Sequence, residues 1–471
     1  MPPPPSYLDI TPVPYSQTVT IADFNAGTYG GAVKEAWFRR VASAAECLGV
    51  HANRAGTLNP SLTIYESDGS TVVGSGNAST SFYVQLTVAG TYYVKVSQAS
   101  DTDTDLAFVA DAKPLDGFTI PEACLVVNDD SNGPPAAVYE ADGTLVGFLS
   151  AIPGGEIGAC LLTGESIWQD RFDQHGGGVQ SFAVFDSDLT YVASAAAIGT
   201  FHAPTAASET TFFTVDKDTG DVYTISTAGV QAGPIATLPT ATPNLIFAFG
   251  VSRDGSIAYW AQNGDLDLHR HDLDTDTPLS DIYTATEAIG NTANNLPGEI
   301  LCLPDGTLVT WYGDIGNPSN LIHLSATGTL LHGPYTFTGT YLYVDHLSYA
   351  DQGSTAVRLW RLADPFLDSG RFSTFNLADG TEDATASFET TLFQTQTNLI
   401  SDDPTVLAAS ESCSFISWKP AASEEEIPVA SDNTMPCIHG SFGSITKTGS
   451  YRLTLTGQTG SRGAVALTGS F

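Results

Sequence analysis

Basic residues are what this chain has least of. Its 471 residues include 17 Lys and Arg, only six of them Lys, against 52 Asp and Glu, for a formal charge of −35. A surface of that sign repels phosphate backbones and anionic lipid, which excludes nucleic acid as a partner and polybasic attachment to membranes. Long apolar runs are missing as well. None approaches the ~18–20 residues of a membrane span, so no membrane insertion is expected. The opening Met1-Pro2-Pro3-Pro4-Pro5-Ser6-Tyr7 lacks the basic and apolar regions of a secretory signal, and the first basic residue is Lys34. The six cysteines form no CxxC pair, which argues against a zinc site and for burial as small hydrophobes. Cys413 and Cys437 flank a polar loop and are the pair that an oxidising medium would allow to bridge. GxSxG, HExxH, a Walker loop and a GxGxxG opening a helix are all absent, so the expectation is no enzyme and no cofactor.

What is present is material for β-structure. Hydrophobic residues at 42% and aromatics at 10% are enough for packed cores, which sets disorder aside as the source of the charge. The length exceeds the ~250–300 residues at which a single core stops growing, so two or three domains are expected. Residues 1–22 read as an extended Pro-rich arm. In residues 23–112, Phe82, Val84, Leu86 and Val88 alternate with polar positions, Ala89-Gly90 turns, and Tyr92, Val94 and Val96 repeat the alternation. That pattern predicts a hairpin with one buried face, within a two-sheet sandwich. The run Asn59-Pro60-Ser61-Leu62-Thr63-Ile64-Tyr65 with Asp68-Gly69, and then Ala89-Gly90-Thr91-Tyr92-Tyr93-Val94-Lys95-Val96, resembles the bacterial pre-peptidase C-terminal (PPC-like) family. The resemblance covers about 75 residues and implies an accessory binding or spacer sandwich, with no catalytic residue to carry over.

Residues 113–428 repeat. Trp168, Trp260, Trp311, Trp360 and Trp418 each end a short apolar strand, at spacings of 92, 51, 49 and 58 residues. Phe213 fills the long first gap, and Val127 stands in the same context one step upstream. Strand-and-turn flanks recur, as in Arg253-Asp254-Gly255-Ser256-Ile257 and Pro304-Asp305-Gly306-Thr307-Leu308. Repeats of about 40–55 residues with four short strands each predict a β-propeller, with the aromatic at a fixed strand position filling the space between blades. The count gives seven blades, with six as the alternative because the first and last units are the least regular. Residues 429–471 form a short C-terminal β-segment, in which 450–456 and 464–468 read as one hairpin. The predicted fold is thus all-β: arm, sandwich, propeller and β-tail.

One strand carries a pattern with metal chemistry in it. Period two places Asp265, Asp267, His269 and His271 on one face. His with carboxylate suits zinc or iron, but ligands about 6.8 Å apart along one strand do not close on a single ion. The competing reading is a solvated outer strand, and the expected metal is none. Asp272-Leu273-Asp274-Thr275-Asp276 begins like a calcium loop but lacks its Gly and closing Glu, so it reads as a turn. Tyr335, Phe337, Tyr341, Tyr343 and Tyr349, near His346, are placed either to stack on a sugar or to pack between blades.

Modules of extracellular type without an export signal fit a virion protein, made in the cytoplasm and released by lysis. The architecture resembles accessory proteins of tailed-phage virions. That likeness implies a structural or adhesion role on a tail, baseplate or capsid surface, oligomeric within an assembly. Its partners would be other virion proteins and a host-surface glycan or protein. A secreted bacterial propeller that binds a ligand is the alternative, and a glycan-active enzyme stands third.

Overall fold

The computed structural model describes residues 6–391, apart from 31, 54–59, 78–81, 99–104, 122–123, 130–135, 141, 153–157, 162, 171–172, 179–180, 199–203, 240–245, 263–266, 285–295, 315–316, 351–353 and 363–368; beyond these it describes 413–418, 433–436, 445–448, 453–456 and 465–468. No described helix is long and apolar enough to cross a membrane.

Two sheets make the N-terminal sandwich. One runs in the order Leu8–Asp9, Glu35–Ala42, Gly90–Ser97, Ser61–Tyr65, Val72–Asn77; the other runs Tyr15–Val19, Leu106–Pro114, Glu46–Asn53, Phe82–Leu86. The alternation read from the sequence holds for Val84, Leu86, Tyr92, Val94 and Val96, whereas Val88, expected on the same buried face, is 63% exposed at the corner between the sheets. Val84 and Leu86 from one sheet, and Tyr92, Val94 and Val96 from the other, close on one core with Leu48, Val50, Leu62 and Ile64. Phe38 and Phe108 stack across it at 3.7 Å between centroids. The predicted hairpin, however, is not one. Phe82–Leu86 and Gly90–Ser97 lie in opposite sheets, because Ala89-Gly90 turns the chain over the edge of the core. The Tyr92 hydroxyl donates to Val88 O at 2.9 Å and fastens that corner.

The arm also needs correcting. Leu8 and Asp9 pair parallel with Phe38 and Arg39, and Tyr15–Val19 pairs antiparallel with Leu106–Ala110. Each sheet had an edge to offer, and Ile10 is buried between them, so residues 8–19 belong to the sandwich. Residues 1–5 lie outside the described residues.

Six four-stranded sheets follow. The first contains Leu145–Leu149, Ala136–Tyr139 and Cys124–Asp129, and its fourth, innermost strand is Cys413–Trp418. The others are consecutive: 158–195, 205–237, 246–284, 296–336 and 343–391. Their innermost strands (Gly158–Cys160, Thr205–Ala207, Ile246–Val251, Leu296–Cys302, Tyr343–Tyr349 and Cys413–Trp418) touch one another in succession and close a ring. This is a β-propeller, with six blades among the described residues. The seventh unit dissolves because the strand ending in Trp418 pairs antiparallel with Cys124–Asp129. Val127 and Trp418 therefore mark one blade, closed by both ends of the repeat region.

Apolar clusters fill the spaces between successive blades. Val126 and Val138 meet Trp168 and Phe185; Ile167 and Phe182 meet Phe212 and Ile225; Phe213 and Val222 meet Phe249 and Trp260. Tyr259 and Leu268 then meet Tyr312 and Ile322, and Val309 and Leu321 meet Val357 and Phe375. Trp168, Phe213, Trp260 and Trp311 do fill these spaces, but not from one fixed position. Trp168 and Trp260 face the preceding blade while Phe213 and Trp311 face the following one, since a one-residue offset on a strand reverses the face.

The hairpin turns use acid as expected. Side chains of Asp142, Asp186, Asp254, Asp305 and Asp379 each accept a backbone N–H from two residues on. Outer strands are blunted as sheet edges. Gly233-Pro234 and Gly333-Pro334 occupy corresponding places in the third and fifth blades, where the ladder register shifts and Pro withholds a donor.

At the C-terminus, 453–456 and 465–468 do not pair with each other. Leu453–Thr456 pairs parallel with Asn433–Pro436, and Val465–Thr468 pairs parallel with Ile445–Thr448.

Candidate functional site

The strand with the sequence-level metal pattern is Asp267–Asp272, third of four in the fourth blade, so it is not a solvated outer strand. Asp265 lies outside the described residues. Two cross-strand pairs, Ala258 with His271 and Trp260 with His269, turn both imidazoles toward the third blade. His269 lies over the Trp260 ring at 4.3 Å, and its Nδ1 is 2.8 Å from Asp281 Oδ1. His271 is buried, with Nε2 2.9 Å from Asp276 Oδ1. That carboxylate also accepts from Thr237 N of the third blade at 3.0 Å, which ties the two blades together. Both contacts, the Thr237 N–H first, hold the Asp276 carboxyl below the usual carboxylate range. Each His thus has its own Asp partner. Among the described residues no three His, Cys, Asp or Glu side chains are grouped to hold a metal ion.

The calcium-like run is a turn. Asp272 Oδ1 accepts from Asp274 N at 3.0 Å and from Thr275 N at 2.9 Å, and these donors lower its pKa. Of the aromatic group, Phe337 and Tyr349 are buried in the core between the fifth and sixth blades, with Tyr335 packed against it. The Tyr335 hydroxyl is spent on Leu377 O at 2.9 Å, and the Arg361 guanidinium lies 4.7 Å above the Phe337 ring. Phe337 and Tyr349 are thus interblade packing, and Tyr335 lies partly exposed at the edge of that core.

Chemistry that the sequence patterns did not pair gathers around the ring of inner strands. His346 Nδ1 is 2.9 Å from Glu299 Oε1, joining the innermost strands of the sixth and fifth blades. The second oxygen of Glu299 accepts the Leu347 N–H. This pair is 20% and 42% exposed. It has the parts of a general base, but its carboxylate already holds two partners.

At the far end of the inner strands lies a buried polar belt. Arg253 Nη1 donates to Ser208 O at 3.1 Å, and Arg253 also hydrogen-bonds Tyr349. The Tyr349 hydroxyl donates to Cys302 O at 3.0 Å. Four successive blades, the third to the sixth, are joined there. Burial pushes the Tyr349 phenol and the Cys302 thiol up to about 12, with Arg253 opposing in both cases. Neither ionises near neutral pH, so the belt ties blades and supplies no nucleophile. Cys47, Cys124, Cys160 and Cys302 are all buried free thiols, in keeping with the sequence expectation, whereas Cys437 lies outside the described residues. Nothing local marks Glu299 or Arg253 in the sequence. Their partners lie 47 and 96 residues away, and only the repeated ends of inner strands would have aligned them.

No protein-family model matches this chain, and no curated protein does. Solved structures overlap it at low identity. A putative TolB from Agrobacterium tumefaciens has a TM-score of 0.32 and 11% identity, over 73% of this chain and 92% of that one. A putative 6-phosphogluconolactonase from Bacteroides uniformis gives 0.39 and 14%, over 61% and 89%. A chain of a nidogen/laminin complex gives 0.39 and 11%, over 63% and 99%. Overlaps this loose add nothing to the propeller topology, which is read from the chain's own sheets.

Proposed function

We propose that the protein is a structural and adhesion component of a bacteriophage virion, carried on a tail, baseplate or capsid surface, where it holds out its propeller for contact with a host surface or a neighbouring subunit. The observation that supports this most is the junction between sandwich and propeller. Asp116 N donates to Phe148 O at 2.8 Å, and the Asp116 carboxylate takes both the N–H and the hydroxyl of Ser150, at 2.8 and 2.6 Å. Leu115 bridges Phe148 on the outermost strand of the first blade. A propeller fixed in one pose on a carrier module suits display, where many weak contacts add on a particle. The likeness of the sandwich to the PPC-like family points the same way, toward a spacer. So does the consumption of the titratable groups described above in turns and blade contacts, which leaves a scaffold rather than a reaction centre.

The test is quantitative mass spectrometry of purified particles. A fixed copy number relative to the major capsid protein supports the assignment. Absence from particles, with the chain found instead on a bacterial surface or in the medium, overturns it. Release of product from a host glycan would overturn the non-enzymatic half of the reading.

A further inference from the structure

The two parallel pairings at the C-terminus share one number. Asn433 pairs with Leu453 and Pro436 with Thr456; Ile445 pairs with Val465 and Thr448 with Thr468. Every partner is 20 residues away. The sequence carries the same period. Residues 433–451 and 453–471 align without a gap: Thr434 with Thr454, Gly440-Ser441 with Gly460-Ser461, Gly443 with Gly463, and Thr448-Gly449-Ser450 with Thr468-Gly469-Ser470. Met435 and Leu455, Ile445 and Val465, and Tyr451 and Phe471 correspond as conservative pairs. Two copies of one 20-residue unit therefore stack in parallel and in register, as successive rungs of a β-coil.

We infer that this coil is a self-association element, in which the open edge of the first rung (Asn433–Pro436 and Ile445–Thr448) receives the second rung (Leu453–Thr456 and Val465–Thr468) of a second copy of this chain. Three observations carry it. The first rung's other edge has no partner strand among the described residues, and the preceding described strand, Cys413–Trp418, is committed to the propeller. Two-stranded sheets of four residues are too small to stand alone in water, and stacked repeats need about three units before they are stable. The contact proposed between copies continues the one already made within the chain, because a second rung is by sequence a copy of the first.

Charge agrees with this placement. Residues 433–471 contain Lys447, Arg452 and Arg462 and no acid, so the whole negative charge resides in residues 1–432. Two strongly anionic bodies repel each other, and the tail is where copies approach without opposing carboxylates. In the 20-residue register Lys447 aligns with Leu467 and Arg462 with Phe442, so stacking sets no like charges side by side. The inference is independent of the virion assignment: self-association holds or fails whatever the particle.

Sedimentation velocity on the full chain, from about 1 to 100 µM, decides it. The expected result is a species of at least twice the 49.4 kDa chain mass. Thr454→Pro/Leu455→Pro removes adjacent N–H donors, which point to the two edges of one strand, and should return the protein to single-chain mass with unchanged melting of the propeller. Thr446→Asp/Ala466→Asp places carboxylates opposite each other in the register and should do the same, while Thr446→Asp/Ala466→Lys should restore the larger species. A wild-type chain of single mass across the whole range overturns the inference. So does a multimer that survives both the proline and the double-aspartate variants.

Discussion

Closure of the propeller ring rests on a single strand. Cys413–Trp418 lies innermost in the first blade, with Cys124–Asp129 on one side and the ring axis on the other. Its register spans six residue pairs, from Cys124 with Trp418 to Asp129 with Cys413. In an antiparallel ladder alternate pairs exchange two hydrogen bonds, which gives about six bonds. At about 1 kcal/mol net each, the strand contributes on the order of 6 kcal/mol. That is comparable with the whole stability of a folded domain, about 5–15 kcal/mol, so the ring should not survive loss of the strand. Smaller perturbations test the same geometry with an internal control. Consecutive N–H groups point to opposite edges of a strand, so of Phe415 and Ile416 one donates to Cys124–Asp129 and the other points toward the axis. Proline at the donating position deletes a ladder bond and strands a carbonyl, a cost of about 1–3 kcal/mol, whereas proline at the other leaves the ladder whole. Scanning calorimetry of Phe415→Pro and Ile416→Pro should therefore show one variant melting about 6 °C lower, at about 3 °C per kcal/mol, and the other close to wild type. Equal and unchanged melting of both would refute ring closure by this strand and return Trp418 to a blade of its own.

Two further expectations follow from side chains. Trp168 is fully buried between the first and second blades, so Trp168→Ala should cost about 3–5 kcal/mol in urea unfolding, whereas Trp311→Ala, at a partly exposed position, should cost clearly less. Equal losses would contradict the difference in burial between the two rings. The other expectation concerns pH. His323 is buried with Nε2 2.7 Å from the Thr307 hydroxyl; burial first, then the neighbouring His332, lower its pKa, with Asp305 opposing. A lowered imidazole pKa means the unfolded chain takes the proton first, so this stabilisation is complete above about pH 6.5 and is lost as pH falls from there toward the folded value. The turn carboxylates Asp142, Asp254 and Asp379 are also lowered, by backbone and side-chain donors, but their contribution is lost only below about pH 4. Melting temperature should thus fall in two separate windows, and His323→Gln should flatten the upper one alone; an unchanged upper window in that variant would sink the assignment.

What was legible in the sequence is what a strand advertises about its own faces. The alternation at Val84, Leu86, Tyr92, Val94 and Val96 announced a buried side, and a Trp or Phe closing a short apolar run announced a layer on either side of its sheet. What was not legible is the partner. A buried face is satisfied equally by a hairpin neighbour or by a strand across the core, so Ala89-Gly90 looked like a hairpin turn and proved to be a passage between sheets. For the same reason Trp418 counted as a seventh unit: its strand has the apolar run of a blade strand, and only pairing with residues almost 300 positions earlier shows that it completes the first. The Asp/His strand failed in the complementary way. Period two puts His269 and His271 on one side, but polarity there does not mean water: the third blade covers that side, and Asp276, which meets the His271 imidazole, also accepts the Thr237 N–H. Contacts such as Glu299–His346 and Arg253–Tyr349 leave no local trace because each half is ordinary where it stands. Ring closure creates them, by bringing equivalent ends of inner strands together. In a propeller, then, polar pairs on the inner ring follow from the alignment of blades and not from any motif. The 20-residue register at the C-terminus belongs to the same class, since the pairing displays it while substitutions such as Asn433 to Leu453 and Lys447 to Leu467 obscure the repeat in the residues themselves.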